Sequence, residues 1–390
     1  MTGPQRILMV NLPFAGHTFP TLELARSFTE AGHQVGYVHS PDWQERIEAT
    51  GAHFIAYDDY PSTLRPPQRD IHSWQAAFKT LMRIGSGYDC LIYEALFFPG
   101  KAAADRIGIP SFRIFSTFAL NDHILKELGR TGGWYLTSIF RFPRLSSLAF
   151  RSLSKKFKLR YPTIPEEITR NTPELNFSYT TRKFQVNAED FDPKKYVFVG
   201  SSIGRRTDSP LGLPLPGEPV IYISMGTLLN KSPHIFRLCL KAFQYAPINV
   251  VMATGSTVSP SILKDLPDNF AIRPFVPQLD VLATADLFIT HAGMNSVNEA
   301  IYYGVPMVAI PIGNDQPMVA RRLEDLHLGR QLKKRGLTTE KLRDTAYEVM
   351  KDRRIAEGLA LARQEAHASG GNTVIVEKII NRLCKLTSGQ

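Results

Sequence analysis

Short apolar runs alternate with helix-length stretches along most of this chain. In the first half the runs are Arg6–Leu12, Gln34–His39, Ala52–Tyr57, Asp89–Glu94 and Ser111–Phe115, with helices expected over Phe19–Ala31 and Lys101–Ile107. Asn176–Thr180 and Tyr196–Gly200 close that series. A second series follows at Val220–Ser224, Asn249–Ala253, Ala271–Arg273, Leu287–Thr290 and Met307–Ile310. Strands that alternate with helices imply a parallel sheet covered on both faces. Between the two series, residues 204–219 hold four prolines and three glycines, the composition of an interdomain linker. The expected division is an N-terminal α/β domain over 1–203, the linker 204–219, and a second α/β domain over 220–372. A last helix over 373–390 is expected to pack back toward the N-terminal domain. Two such halves facing each other leave a cleft, where ligands bind. Residues from about Asn121 to Glu174 lack the alternation and read as a mostly helical insertion on one wall of that cleft.

The 390 residues suffice for two or three domains. No apolar run approaches the roughly 18–20 residues of a membrane helix, and the N-terminus reads as a first strand rather than a leader. Three scattered cysteines, Cys90, Cys239 and Cys384, have neither metal-ligand nor redox spacing and fit free thiols in a reducing cytoplasm. The net charge of +10 is uneven: residues 141–160 carry seven basic side chains and no acid, interleaved with Phe140, Phe142, Phe150 and Phe157. This stretch reads either as a solvated helical face or as a weak peripheral membrane contact. No nucleic-acid motif accompanies it.

Chemistry-bearing residues concentrate between 275 and 316. Phe275-Val276-Pro277-Gln278 precedes a strand that ends at Thr290-His291-Ala292-Gly293-Met294-Asn295-Ser296, then come Glu299, Gly304-Val305-Pro306 and Asp315-Gln316. A helix N-terminus offers unpaired N–H groups and the positive end of a dipole to a pyrophosphate. Gly293 allows close backbone approach, Asn295 and Ser296 suit a cap or a phosphate contact, and His291 can donate to a phosphate oxygen. Glu299, one turn into the helix, suits a ribose diol. Taken singly, each of these residues also has an ordinary structural explanation.

Together they resemble the donor-binding signature of family 1 glycosyltransferases, inverting enzymes of GT-B fold, with two Rossmann-like doubly wound parallel-sheet domains across a cleft. From His291 to Gln316 the spacing matches the plant signature without a gap; between Gln278 and His291 it is two residues shorter. Gly16-His17-Thr18-Phe19-Pro20 and Ser224-Met225-Gly226-Thr227 extend the resemblance over nearly the whole chain. The bacterial macrolide-type subgroup, which includes flavonoid glucosylators, is the nearest in character. The resemblance implies that Phe275 stacks on the base, that the Val276 backbone and Gln278 bind base and ribose, and that His291, Gly293, Asn295 and Ser296 hold the phosphates. It implies further that Glu299 takes the ribose hydroxyls, favouring UDP, that Asp315 and Gln316 bind the sugar with a lean toward glucose, and that Ser224, Gly226 and Thr227 touch the diphosphate. No cofactor or bound metal is implied.

Transfer to a hydroxyl needs a base. The resemblance assigns that role to His17, oriented by an acid at the end of a later strand. Here Glu94 stands where the family has Asp. Ile71–Ser86 and Asn121–Arg160, with Trp74, Phe78, Trp134, Tyr135 and Phe140, are expected to line a hydrophobic acceptor site for a flavonoid, macrolide or similar hydroxylated molecule. Two other readings share these features: a glycosyltransferase acting on membrane sterol or diacylglycerol lipids, and a non-catalytic auxiliary of another glycosyltransferase. A dehydrogenase is disfavoured. Pro13-Phe14-Ala15-Gly16-His17-Thr18 is not a Gly-x-Gly-x-x-Gly turn, and His39-Ser40-Pro41 supplies no acid at the end of strand two.

Overall fold

The computed structural model describes residues 3–60, 63, 68–131, 151, 154–205, 212–226, 233–255 and 266–388. The chain divides into two compact units. The first holds the described residues up to Arg130, from 151 to Ile203 and from Ser369 onward; the second holds Thr131 and those from Gly204 to Ala368.

The first unit is built on seven strands: β1 (Arg6–Val10), β2 (Gln34–His39), β3 (His53–Ala56), β4 (Cys90–Glu94), β5 (Ser111–Phe115), β6 (Leu175–Ser178) and β7 (Tyr196–Phe198). They lie in the order β3-β2-β1-β4-β5-β6-β7, every pair parallel. The order reverses between β1 and β4, and such a switch point opens a crevice at the carboxyl ends of the strands. Apolar residues of β1, β2, β4, β5 and β6 pack with Leu22, Leu24 and Phe28 of helix α1 (Ala15–Glu30). The C-terminal helix (Gly371–Ser388) adds Ile375, Val376, Ile379 and Leu383 to the same core. At roughly 1.5–3 kcal/mol per fully buried aliphatic side chain, those four residues fix the chain end to the first unit.

Two boundaries differ from the sequence expectation in ways that matter for function. β1 stops at Val10, because Asn11 turns the chain by accepting the Leu12 N–H at 2.7 Å on its side-chain oxygen. Helix α1 starts at Ala15 rather than Phe19 and carries Pro20 inside it. A proline usually marks a first turn, which is why the sequence placed the start too late. His17 is therefore helical, not a loop residue.

The second unit has six strands: β8 (Val220–Ser224), β9 (Asn249–Ala253), β10 (Phe270–Arg273), β11 (Leu287–Thr290), β12 (Met307–Ala309) and β13 (Gly329–Gln331). Their order is β10-β9-β8-β11-β12-β13, again all parallel, with the switch point between β8 and β11. β13 was not expected from the sequence. It is a three-residue edge strand, Gly-Arg-Gln, without the apolar run that signals a buried strand.

Candidate active site

In the first unit the switch point brings together two residues that lie far apart in sequence. His17 sits on the first turn of α1, directly after β1, and Glu94 is the last residue of β4, the strand beside β1. His17 Nδ1 lies 2.8 Å from Glu94 Oε1. The carboxylate is buried, and a buried charge persists only when it is supplied with donors. Glu94 has them: Leu96 N donates to Oε2 at 2.7 Å, and Ser116 N approaches Oε1 at 3.4 Å. The loop after β4 is in turn fixed by Trp74, whose indole N–H donates to the Leu96 carbonyl at 2.9 Å. The main chain of His17 is also held, since its carbonyl accepts from Asn11 Nδ2 at 2.8 Å, Ser116 Oγ at 3.3 Å and Thr21 Oγ1 at 3.3 Å. With Nδ1–H committed to a carboxylate, Nε2 carries the lone pair of the neutral ring. The side chain is about a quarter exposed, at 26%. The ring is fixed at its Nδ1 end by a buried carboxylate.

In the second unit Ser224, the last residue of β8, is the register partner of Thr290, the last residue of β11. The chain after β11 turns through Ala292 at φ 63°, a left-handed conformation that costs an L-residue roughly 1–2 kcal/mol. Helix α9 (Met294–Tyr303; α6 is Ile164–Arg170, α7 Pro233–Phe243 and α8 Gln278–Leu282) then begins with Gly293 as N-cap and no side-chain cap. Its first N–H groups thus have no side-chain cap acceptor. The His291 ring is wedged between two glycines: a Cβ on either Gly226 or Gly293 would stand 2.5 Å from its Nε2. Gly226 itself has φ 75°. Burial holds the His291 ring down to about 4, opposed by the Asp315 carboxylate and the Ser224 main chain. His291 Nδ1 is fully buried without a hydrogen-bond partner.

A second polar group stands beside this turn. Tyr222 OH donates to Gln278 Oε1 at 2.9 Å, and the Gln278 amide donates to Ser296 Oγ at 3.3 Å and to the Glu299 carboxylate. Burial pushes the Glu299 carboxyl up to about 7, against the pull of the Gln278 amide. After β12, Ile312 N and Gly313 N donate to Gln316 Oε1 at 2.8 and 3.1 Å, and Asn314 takes φ 58°. The amide nitrogen of Gln316 takes no part in that turn. Phe275 is 66% exposed, unusual for so large an apolar ring.

Residues 216–362 match the family model described as UDP-glucoronosyl and UDP-glucosyl transferase. The chain is 31% identical to the uncharacterized UDP-glucosyltransferase YojK of Bacillus subtilis, over 98% of each protein. This chain belongs to the family 1 UDP-glycosyltransferases. It is also 28% identical to the oleandomycin glycosyltransferase of Streptomyces antibioticus, over 95% of this chain and 89% of that one. The crystal structure of the calicheamicin glycosyltransferase CalG4 is similar at a TM-score of 0.82 with 26% identity, over 98% of this chain and 99% of that one. The two parallel α/β units are those of the GT-B fold. The protein is an enzyme that transfers a sugar from a nucleotide sugar to a small-molecule acceptor.

Within this glycosyltransferase the residues singled out in sequence fall into two groups, one in each unit. His17 and Glu94 are in hydrogen-bond contact. Ser224, Gly226, His291, Gly293, Asn295, Ser296, Gln278 and Glu299 lie at or beside the β8/β11 switch point, and Asp315 interacts electrostatically with His291. Thr227 lies outside the described residues, as do Trp134, Tyr135 and Phe140. Asn295 and Ser296 are not caps, since the N-cap is Gly293; they are the second and third helical residues. Trp74 and Phe78 are buried in packing, against Phe98 at 5.1 Å and Phe157 at 4.9 Å. Of the basic stretch, only residues 151 and 154–160 are described; there Phe157 is buried while Lys155, Lys156 and Lys158 are exposed. Among the described residues no helix is long and apolar enough to cross a membrane. Sequence reasoning missed Tyr222, Asn11 and Ser116. Asn11 left one signal, a polar side chain ending an apolar run; Tyr222, inside a strand, left none.

Proposed function

We propose that this glycosyltransferase moves glucose from UDP-glucose to a hydroxyl of a hydrophobic small molecule, with inversion and with His17 as general base. What carries this reading is the 2.8 Å contact between His17 Nδ1 and the buried, doubly anchored Glu94. As the acceptor oxygen attacks the anomeric carbon, its proton passes to His17 Nε2 and the bond to UDP breaks. Glu94 stays ionised, holds the ring tautomer and stabilises the imidazolium. Positioned general-base help contributes about 10²–10⁴-fold.

The donor is assigned to the second unit. The first N–H groups of α9, with Asn295 and Ser296, hold the diphosphate as it gains charge. Burial keeps His291 neutral at pH 7, so it donates one N–H to a phosphate oxygen and adds no positive charge. Ser224 and Gly226 are assigned to the diphosphate as well, and the family resemblance gives Thr227 the same role. Phe275 supplies an exposed ring for the base, Val276 its backbone, Gln278 and Glu299 the ribose contacts. Asp315 and the Gln316 amide meet the sugar hydroxyls. The relatives named for oleandomycin and calicheamicin support a small-molecule acceptor. Buried free thiols at Cys90 and Cys239 fit a cytoplasmic protein.

The test is a mass-spectrometric assay of purified protein with UDP-glucose against mixed phenolic and macrolide acceptors, with UDP-galactose and UDP-GlcNAc as donor controls. His17→Ala is expected to abolish transfer while UDP binding survives. Near-normal turnover by that variant would remove His17 from the reaction.

A further inference from the structure

We propose that Tyr222 is a positioning residue for the donor nucleotide: its hydroxyl fixes the Gln278 amide so that both amide protons face Ser296 and Glu299, and this sets the preference for a ribose over a 2′-deoxyribose. The proposal rests on the assignment of Glu299 to the ribose.

Tyr222 lies within β8 and is 1% exposed, so nothing in solution meets its hydroxyl. The ring is clamped by Phe288 of β11, stacked at 4.7 Å and 10°. The hydroxyl donates to Gln278 Oε1 at 2.9 Å and also interacts with the Ser224 side chain. A glutamine amide has two N–H donors, and both are spent here, one on Ser296 Oγ and one on Glu299. Its two faces are therefore fixed from opposite sides. Without the tyrosine hydroxyl, Gln278 Oε1 loses that donor and the amide is free to rotate or flip. Glu299, which sits one turn along α9 from Ser296, then loses its oriented partner. A carboxylate that accepts a ribose hydroxyl must point its second oxygen outward, and only a fixed partner on the first oxygen enforces that. The residue acts through Gln278 and touches no reacting atom.

The experiment is calorimetric binding of UDP and of 2′-deoxy-UDP to wild type and Tyr222→Phe, with donor kinetics alongside. Wild type is expected to prefer UDP. In Tyr222→Phe the affinity for UDP is expected to fall about three- to tenfold, the scale of one buried hydrogen bond, with 2′-deoxy-UDP unchanged, KM for the donor raised and kcat at saturation kept. In a Glu299→Ala background the same substitution should change nothing further. Gln278→Met, which deletes the bridge at its other end, should erase the preference at least as far and serves if Tyr222→Phe does not fold. An unchanged UDP to 2′-deoxy-UDP ratio in a folded Tyr222→Phe, with wild type still preferring UDP, overturns the role of Tyr222 and leaves the donor site standing. Equal wild-type affinity for both nucleotides overturns Glu299 as ribose ligand and the proposal with it. No wild-type affinity for UDP overturns the donor assignment itself.

Discussion

His17 and Glu94 lie 77 residues apart in sequence and 2.8 Å apart in space. The contact exists because β1 and β4 are parallel neighbours, so the turn after one and the last residue of the other meet at the carboxyl ends of the strands. A glutamate at this place reaches the ring and still accepts Leu96 N with its other oxygen. Glu94→Gln keeps the shape and removes the charge. Its kcat is expected to drop about 10²-fold or more with little change in acceptor KM. Glu94→Asp, one methylene shorter, should lose less than Glu94→Gln because it can still stabilise the imidazolium. Steady-state kinetics of both variants decide this; equal rates for wild type and Glu94→Gln would return the residue to a structural role.

The turn around His291 tolerates no added atom. A Cβ on Gly226 would stand 2.5 Å from the ring and would also sit at φ 75°. Gly226→Ala is expected to cost about 1–3 kcal/mol, the usual scale of overpacking, and to weaken UDP binding. Gly293→Ala meets the same ring at the same distance, without the φ penalty, and should cost less stability for a comparable loss of binding. Thermal melts with and without UDP measure both quantities. Wild-type binding by either variant counts against this turn as the phosphate site.

Ala292 is a buried L-residue in the left-handed region. Ala292→Val adds β-branching where even alanine is strained, and is expected to destabilise by more than about 2 kcal/mol in urea unfolding. A neutral result would mean the turn relaxes easily and is not preorganised.

His39 gives the first unit an acid sensitivity. Burial holds its imidazole down to about 3, and the ring accepts Ser40 N at 2.8 Å on Nδ1 while Nε2 meets Thr18 Oγ1 at 3.2 Å. Above about pH 6.5 both folded and unfolded chains are neutral at this residue, so it contributes no pH dependence. Between there and about 3 the unfolded chain takes up a proton that the folded chain refuses. Stability therefore falls as the pH is lowered through this window, by at most ~1.4 kcal/mol per pH unit. His39→Gln should flatten the dependence of the urea midpoint on pH across that range; parallel curves for variant and wild type would refute the assignment.

Arg113 is a buried cation in β5 that closes a helix end. Its guanidinium donates to Tyr93 OH at 3.0 Å, to the Ile168 carbonyl, and to the Asn171 carbonyl at 2.6 Å, the last turn and C-cap of helix α6. Arg113→Met strands those carbonyls and is expected to cost about 2–4 kcal/mol. Arg113→Lys should rescue it poorly, since a single ammonium lacks the planar fork. Denaturant midpoints of the two variants are the measure.

Much of the candidate site in the second unit was legible in the chain. Its chemistry lies within one run, from Phe275 to Gln316, where strand, turn and helix follow each other with few intervening residues. Short-range order suffices there, because a turn after a strand places its residues at the strand end whatever the rest of the sheet does. The apolar runs at Gln34–His39, Ser111–Phe115 and Val220–Ser224 also fixed whole strands without adjustment. The start of α1 was misread because Pro20 carries a boundary signal it does not obey. Composition alone does not say which way a ring faces, so the burial of Trp74 and Phe78 was not legible in the chain.

By itself the sequence determined the class of fold, two runs of parallel α/β units, and the run of polar residues around the turn at Gly293. Strand order, and with it every contact between distant residues, was decided only in three dimensions. That β4 rather than β3 lies beside β1 brings Glu94 to His17, and that β11 lies beside β8 brings Thr290 level with Ser224. Sheet order depends on which apolar faces bury best against one another, a global property of packing that local pattern does not encode.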